Sequence, residues 1–212
     1  YIYYNMTNNI FDIYVVYHDN AVKTYGPKTC VFLQAGQFYE LYAFCPDEFT
    51  VIGPNLWEIQ ETLQIIVTKR NKSKPHSRKN LYMMGVQTHT KNKFANLLLN
   101  EGWTVVVVDQ VTGPPNPRRS ITETLSPGTS FSDFNKDPDK FLISFYIDSD
   151  KVNNTDIISV GTSLINIQTG KNYISNISSN LNDLSHWINE MIRIMNTFFC
   201  IEILVHKSHS VS

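Results

Sequence analysis

Three groups of residues in this 212-residue chain combine side-chain type and spacing in a way that could do chemistry. In the first, Gly36-Gln37-Phe38-Tyr39-Glu40, an aromatic ring and a carboxylate stand two positions apart just after a glycine. Side chains alternate along a strand, so Phe38 and Glu40 leave from one face while Tyr39 and Leu41 leave from the other. One face can then be core and the other a tool. A glycine in a strand allows another backbone or a ligand to come close. Taken singly, a phenylalanine on a strand reads as an ordinary core residue. The second group is a run of bases. Between Thr62 and Asn100 there is no acidic residue against eight basic ones: Lys69, Arg70, Lys72, Lys74, Arg78, Lys79, Lys91 and Lys93. The rest of the chain carries 10 basic and 19 acidic residues, so a net charge of −1 hides a segregation that can build a positive face. A solvated lysine-rich loop is the plainer account. The third group is Asp148, Asp150 and Asp156, carboxylates clustered as two-metal hydrolysis requires. Ser149, Lys151, Asn153 and Asn154 around them are loop formers and favour a solvated turn.

Other signals exclude more than they assign. Cys30, Cys45 and Cys200 are odd in number and lack CxxC spacing, so neither a disulfide framework nor a zinc site is indicated, and the thiols are expected to be reduced and structural. Gly170-Lys171 has neither the spacing nor the following hydroxyl of a phosphate-binding loop. There is no apolar run long enough to span a bilayer and no signal-peptide pattern at the start, which predicts a soluble intracellular protein without a membrane partner. The absence of an opening methionine suggests a fragment of a longer chain.

These residues must be positioned by elements that the periodicity outlines. Ile10, Phe11, Tyr14, His18 and Val22 predict an amphipathic helix over about residues 8–24, ended by Gly26-Pro27. A strand from Thr29 to Tyr42 follows, with Gly36 inside it. Trp57 to Gln60 reads as a short helix, Gln64 to Lys69 as a β-branched strand, and Asn71 to Asn80 as a loop to a strand around Leu81 to Met84. Pairing of these strands should set the bases beside Phe38. Phe94, Leu97 and Leu98 suit one face of a helix over 92–100, stopped by Gly102. Thr104 to Val108 is apolar throughout, hence a central strand, with Asp109 at its end as a turn or cap residue. Three prolines make Thr112 to Pro117 irregular and place Arg118 and Arg119 at the start of the next strand. Ser132 to Asp139 reads as a linker. Beyond it come strands at 141–147, 157–166 and 172–175, a helix from Leu181 to Met195 and a strand at 201–205. That β-β-β-α-β order suggests the opening of a ribonuclease-H-like domain.

Taken together and in order, four segments resemble the mismatch-recognition domain of the MutS DNA-repair proteins. They are Gly36-Gln37-Phe38-Tyr39-Glu40, Thr68-Lys69-Arg70, Met83-Met84-Gly85-Val86 with His89, and Ser126-Pro127-Gly128-Thr129. Tyr25-Gly26-Pro27-Lys28-Thr29 and the segment from Thr104 to Arg119 look most like the divergent branch of giant viruses and octocoral mitochondria. The resemblance covers about residues 10–130 well and continues more weakly to the end. It implies an α/β (α+β) fold: a mixed-sheet recognition domain over 1–131, a linker over 132–139, and an incomplete ribonuclease-H-like connector domain over 140–212.

For function, the resemblance implies binding of mismatched or unpaired bases in double-stranded DNA. Phe38 matches the aromatic that enters the minor groove as an apolar wedge and stacks on the mispaired base, and Glu40 matches the carboxylate that hydrogen-bonds that base. Gly36 belongs to the same motif, Arg119 matches a basic position near the duplex, and Lys69 and Arg70 lie close to it. Two departures stand out: Gln37 replaces an acid before the aromatic, and Gln87-Thr88 replace Pro-Tyr before His89, which reads as a structural hydrogen-bonding residue. The resemblance implies no catalytic residue, metal or cofactor in this fragment. ATP and magnesium are expected for the full-length protein, an ATPase whose site would lie beyond residue 212, as would the domains that make a homodimer. Viral, mitochondrial and nuclear compartments are all compatible. The competing classes are a metal-dependent nuclease using Asp148, Asp150 and Asp156, and an architectural module that docks other proteins.

Overall fold

The computed structural model describes residues 9–129, 140–153, 155–180 and 183–208. They form two compact units that divide between residues 130 and 131. The linker expected at 132–139 lies outside the described residues.

In the first unit, helix α1 (Ile10–Tyr25) starts where the Asn9 side chain accepts from the Phe11 N–H (3.1 Å), with Asp12 in its first turn and Lys23 in its last, the polarity the helix dipole favours. Its buried stripe is Phe11, Tyr14, His18 and Ala21, and Gly26 ends it at φ +95°. The expected single strand from Thr29 to Tyr42 is instead a hairpin of β1 (Thr29–Ala35) and β2 (Phe38–Ala43), because Gly36 takes φ +61° and reverses the chain. Helix α2 (Leu56–Leu63) is capped by Asn55 and stops at Gln64, which sits in the left-handed region. The strand expected from Gln64 therefore shrinks to β3 (Thr68–Lys69): the Gln60 side chain accepts from the Val67 N–H (2.7 Å) and holds the approach to α2 rather than to a ladder. Then come β4 (Tyr82–Gln87), α3 (Lys91–Asn100), β5 (Thr104–Gln110) and β6 (Arg119–Leu125).

The six strands run in the order β3-β4-β2-β1-β5-β6, with β1 parallel to β5 and the other pairs antiparallel. Val105 to Val108 are fully buried, as an interior strand requires. Tyr14 of α1 meets Tyr42, whereas Trp57 of α2 meets Tyr82. Tyr42 pairs with Met83, the neighbour of Tyr82, so the two helices cover opposite faces of the sheet. Helix α3 packs beside α2. Phe11, Tyr14, Phe32, Leu33, Leu41, Leu56, Ile59 and Leu98 fill the core between these layers, each large side chain contributing about 1.5–3 kcal/mol.

The second unit is a meander of β7 (Phe141–Val152), β8 (Thr155–Asn166) and β9 (Asn172–Asn180), followed by α4 (Leu184–Thr197) and β10 (Cys200–Lys207). The β-β-β-α-β order is the one read from the sequence. β10 runs parallel to β7, giving the order β10-β7-β8-β9. The first hairpin is longer than expected. Asp148 and Asp150 lie within β7 and Asp156 within β8, rather than in a solvated turn, because the ladder continues to the pair Val152 and Thr155.

Candidate nucleic-acid interface

At the tip of the β1–β2 hairpin, Gly36 and Gln37 form a two-residue turn between the paired residues Ala35 and Phe38. Glycine stands at the first turn position, the place a type II′ hairpin gives it. A Cβ at Gly36 would meet nothing within 4 Å, so backbone conformation rather than space demands glycine there. Hydrogen bonds from side-chain amides and backbone fasten this turn within the hairpin, to β5 and to Thr88. Gln34 Nε2 donates to the Gly36 carbonyl (3.2 Å) and Gln34 Oε1 accepts from the Gln110 N–H (2.8 Å). Gln110 Oε1 in turn accepts from the Gly36 N–H (3.3 Å), and the Gln37 carbonyl accepts from the Thr88 N–H (3.0 Å).

Phe38 follows directly and is 43% exposed, while Tyr39 and Leu41 on the other face are 6% and 0% exposed. The alternation read from the sequence holds, and Phe38 is not the core residue that its type alone suggests. Tyr39 is anchored below the sheet, where its hydroxyl donates to Asp109 (2.5 Å), whose other oxygen accepts from Thr122 (2.6 Å). Asp109 is thus a structural acceptor at the strand end.

Glu40 leaves the sheet on the Phe38 side and faces Gly85 of β4. A Cβ at Gly85 would lie 3.3 Å from the Tyr39 carbonyl oxygen and 3.5 Å from Glu40 Cγ, so this glycine keeps the space beside the carboxylate open. Among the described residues no lysine or arginine closes an ion pair on Glu40; its carboxylate accepts from the Tyr42 hydroxyl. Burial, reinforced by that carboxylate, pushes the Tyr42 hydroxyl well above the ordinary tyrosine range, against the pull of Arg70 and Arg119.

The bases divide. Arg119 opens β6 opposite Gln110, its Nε donates to the Gln34 carbonyl (3.2 Å), and its own carbonyl accepts from Tyr17 (3.0 Å), which draws it to the hairpin. Arg70 lies further along, lining with Tyr42, Met83 and Arg78 a cavity of about 240 Å³. Lys69 is not beside Phe38, contrary to expectation. It pairs with Tyr82, which pairs with Ala43, so five residues along the strands and two strands across put it roughly 20 Å from Phe38. Its ammonium donates to the Lys74 carbonyl (2.8 Å), back into its own loop. Two other bases of the acid-free stretch are paired with acids outside it, Arg78 with Asp12 (2.7 Å) and Lys91 with Glu123.

Asp148, Asp150 and Asp156 are not brought together. Asp156 pairs with Lys151, the neighbour of Asp150, so it emerges on the face opposite to Asp148 and Asp150. Among the described residues no group of three His, Cys, Asp or Glu side chains is placed to hold a metal ion. Cys30, Cys45 and Cys200 are free thiols, and burial pushes Cys30 far above its ordinary range, as a structural cysteine requires. No described helix is long and apolar enough to cross a membrane.

Sequence reasoning missed Gln34, Tyr42, Gly85 and Gln110 as parts of this site. Gln34, a lone amide in the apolar run of β1, was a usable signal. Gln110 and Gly85 acquire their contacts only through pairing with distant strands.

Residues 14–133 match the family described as MutS domain I, a span that contains the hairpin, Glu40, Arg70 and Arg119. A mutS homolog of Acanthamoeba polyphaga mimivirus is 31% identical over 206 residues, covering 95% of this chain and 18% of that protein. The mitochondrial DNA mismatch repair protein mutS homolog of Sarcophyton glaucum is 23% identical over 88% of this chain and 20% of its own length. DNA mismatch repair protein MutS of Leuconostoc mesenteroides is 28% identical over 56% of this chain and 12% of its own. The chain thus spans a fifth or less of the curated relatives it matches. With more than half of its residues matched to domain I, the chain belongs to the MutS family.

Proposed function

We propose that this chain binds mismatched or unpaired bases in duplex DNA, as the recognition part of a mismatch-repair protein. The observation that carries the reading is the setting of Phe38: an aromatic ring nearly half exposed on a hairpin tip fastened by side-chain amides, with a carboxylate on the same face. Such a ring can enter the minor groove and unstack a base step, at a cost of a few kcal/mol that a mispair already lowers. Selectivity then comes from deformability more than from base identity. Glu40 hydrogen-bonds the displaced base. Arg119 and Arg70 sit on the same face and supply phosphate contacts that position the duplex without reading its sequence.

ATP hydrolysis belongs to the full-length protein in this reading, in a segment beyond residue 212. Gly170-Lys171 lies in the turn from β8 to β9, with Gly170 at φ +70°, and does not open a helix. The strand order of the second unit, with β10 parallel to β7, supports a ribonuclease-H-like connector domain, and dimerisation would rest on domains outside this chain. The test is competition binding of mispaired and paired duplexes of equal length. A preference for the mispaired duplex is expected; equal affinity for both, or no affinity at low salt, would refute the reading and favour a docking module.

A further inference from the structure

Glu40 accepts a hydrogen bond from Tyr42, two residues along the same strand and on the same face. The ring of Tyr42 is 4% exposed and stands edge-on to Tyr14, with centroids 5.4 Å apart and planes at 83°. Tyr14 is itself fully buried, and its hydroxyl donates to the Val31 carbonyl (3.3 Å). The packing on Tyr14 thus holds the Tyr42 ring in the core, and its hydroxyl donates to Glu40 Oε2 beside the cavity it lines with Arg70. A glutamate on an open strand face samples many rotamers and loses that freedom when a ligand engages it. Here one carboxylate oxygen is already engaged and the other is left for a ligand, while Gly85 opposite keeps the space beside Cγ clear.

We propose that Tyr42 is a positioning residue for mismatch readout. Its buried hydroxyl holds the Glu40 carboxylate in one orientation beside Phe38, so that a displaced base meets an acceptor already set. Ordering a flexible side chain at an interface weakens binding, and a side chain ordered beforehand avoids that loss. This inference rests on the reading of Glu40 given above. Phenylalanine at position 42 would keep the ring and its packing on Tyr14 and remove only the hydroxyl.

The test is a cycle of four proteins: the unmodified chain, Tyr42→Phe, Glu40→Ala and the double variant, each titrated with mispaired and paired duplexes. Tyr42→Phe should lower the mispaired-to-paired affinity ratio by about three- to tenfold, the scale for ordering one flexible side chain. Glu40→Ala should lower it at least as far, and adding Tyr42→Phe to Glu40→Ala should change nothing more. An equal loss from Tyr42→Phe in the Glu40→Ala background would show that the tyrosine acts through the fold, and would overturn the inference. So would an unchanged ratio in Tyr42→Phe while Glu40→Ala loses preference. If Glu40→Ala keeps the preference, the reading of Glu40 itself fails and the inference falls with it. A DNA-free measurement stands beside the cycle: NMR relaxation of the Glu40 Cγ methylene should report greater motion in Tyr42→Phe, and unchanged order would overturn the inference whatever the affinities do.

Discussion

Replacing Phe38 by alanine separates the cost to the fold from the cost to recognition, because the ring belongs only partly to the protein. A fully buried phenylalanine contributes about 1.5–3 kcal/mol of hydrophobic stabilisation. With 43% of Phe38 exposed, its removal should destabilise the first unit by about 1 kcal/mol. Truncating a core phenylalanine costs about 3–5 kcal/mol. On DNA the same change removes the stack on the displaced base, about 1–3 kcal/mol. That corresponds to a fall of roughly fivefold to a hundredfold in affinity for a mispaired duplex. Affinity for paired duplex should barely move, since phosphate contacts carry it. Urea unfolding gives the first quantity and competition binding at fixed salt gives the second. A loss of stability of about 3 kcal/mol or more would make Phe38 a core residue. A mispaired preference that survives the substitution would refute the wedge outright.

Neutralising Arg70 and Arg119 together should reduce the slope of log affinity against log salt by about 0.9 for each phosphate no longer neutralised, whereas Lys69→Ala should leave it nearly unchanged; equal effects would contradict the placement of Lys69. Gly36→Ala should destabilise the first unit by about 1–2 kcal/mol although a methyl there meets nothing, because φ +61° strains an L-residue; a neutral effect in thermal melting would show that the turn can reverse another way. Gln110→Ala should loosen the hairpin tip and speed hydrogen exchange at the Gly36 N–H, with mispaired preference falling and overall stability nearly kept. His18 is buried, which lowers its pKa below the ordinary 6.5, partly opposed by Asp19. The unfolded chain then takes up the proton first, so the stability contributed by neutral His18 is full above about pH 6.5 and declines as pH falls below it. Melting temperatures compared at pH 7.5 and 5.5 should show a smaller drop in His18→Gln.

How much of this could be read beforehand depended on how local the cause was. Helix α1 announced itself through Phe11, Tyr14 and His18 at helical spacing and the Gly26-Pro27 stop, and the continuous valines of β5 signalled an interior strand. The alternation of Phe38, Tyr39, Glu40 and Leu41 placed ring and carboxylate on one face, and that survived even though the single strand became a hairpin, since each arm keeps the period of two. What failed was non-local. Gly36 was legible as a break but not as a reversal, because φ depends on whether a partner strand waits beyond it. Which of the neighbours Lys69 and Arg70 shares the Phe38 face could not be read from sequence: alternation separates them, but only the register against Tyr82 and Met83 decides which goes where. The aspartates of the second unit misled for the same reason. Their polar neighbours looked like a turn, yet pairing with β8 extended the strand through them.

The hydrogen bond between Gly36 and Gln110 joins positions 74 residues apart, and this sets an order of events in the life of the chain. The hairpin tip can form as soon as Phe38 to Ala43 are made, but its bonds to Gln110 form only after Thr104 to Gln110 dock in parallel beside β1. At synthesis rates of about 5–20 residues per second, the recognition element of a nascent chain waits roughly 3–13 seconds between formation and its bonding to Gln110. Parallel pairing of distant strands is also slow to nucleate, because the intervening loop must close before any contact rewards it. Competence to discriminate base pairs should therefore arrive late and all at once, with the docking of β5. A chain ending before residue 104 should retain Phe38 and Glu40 and lack the discrimination.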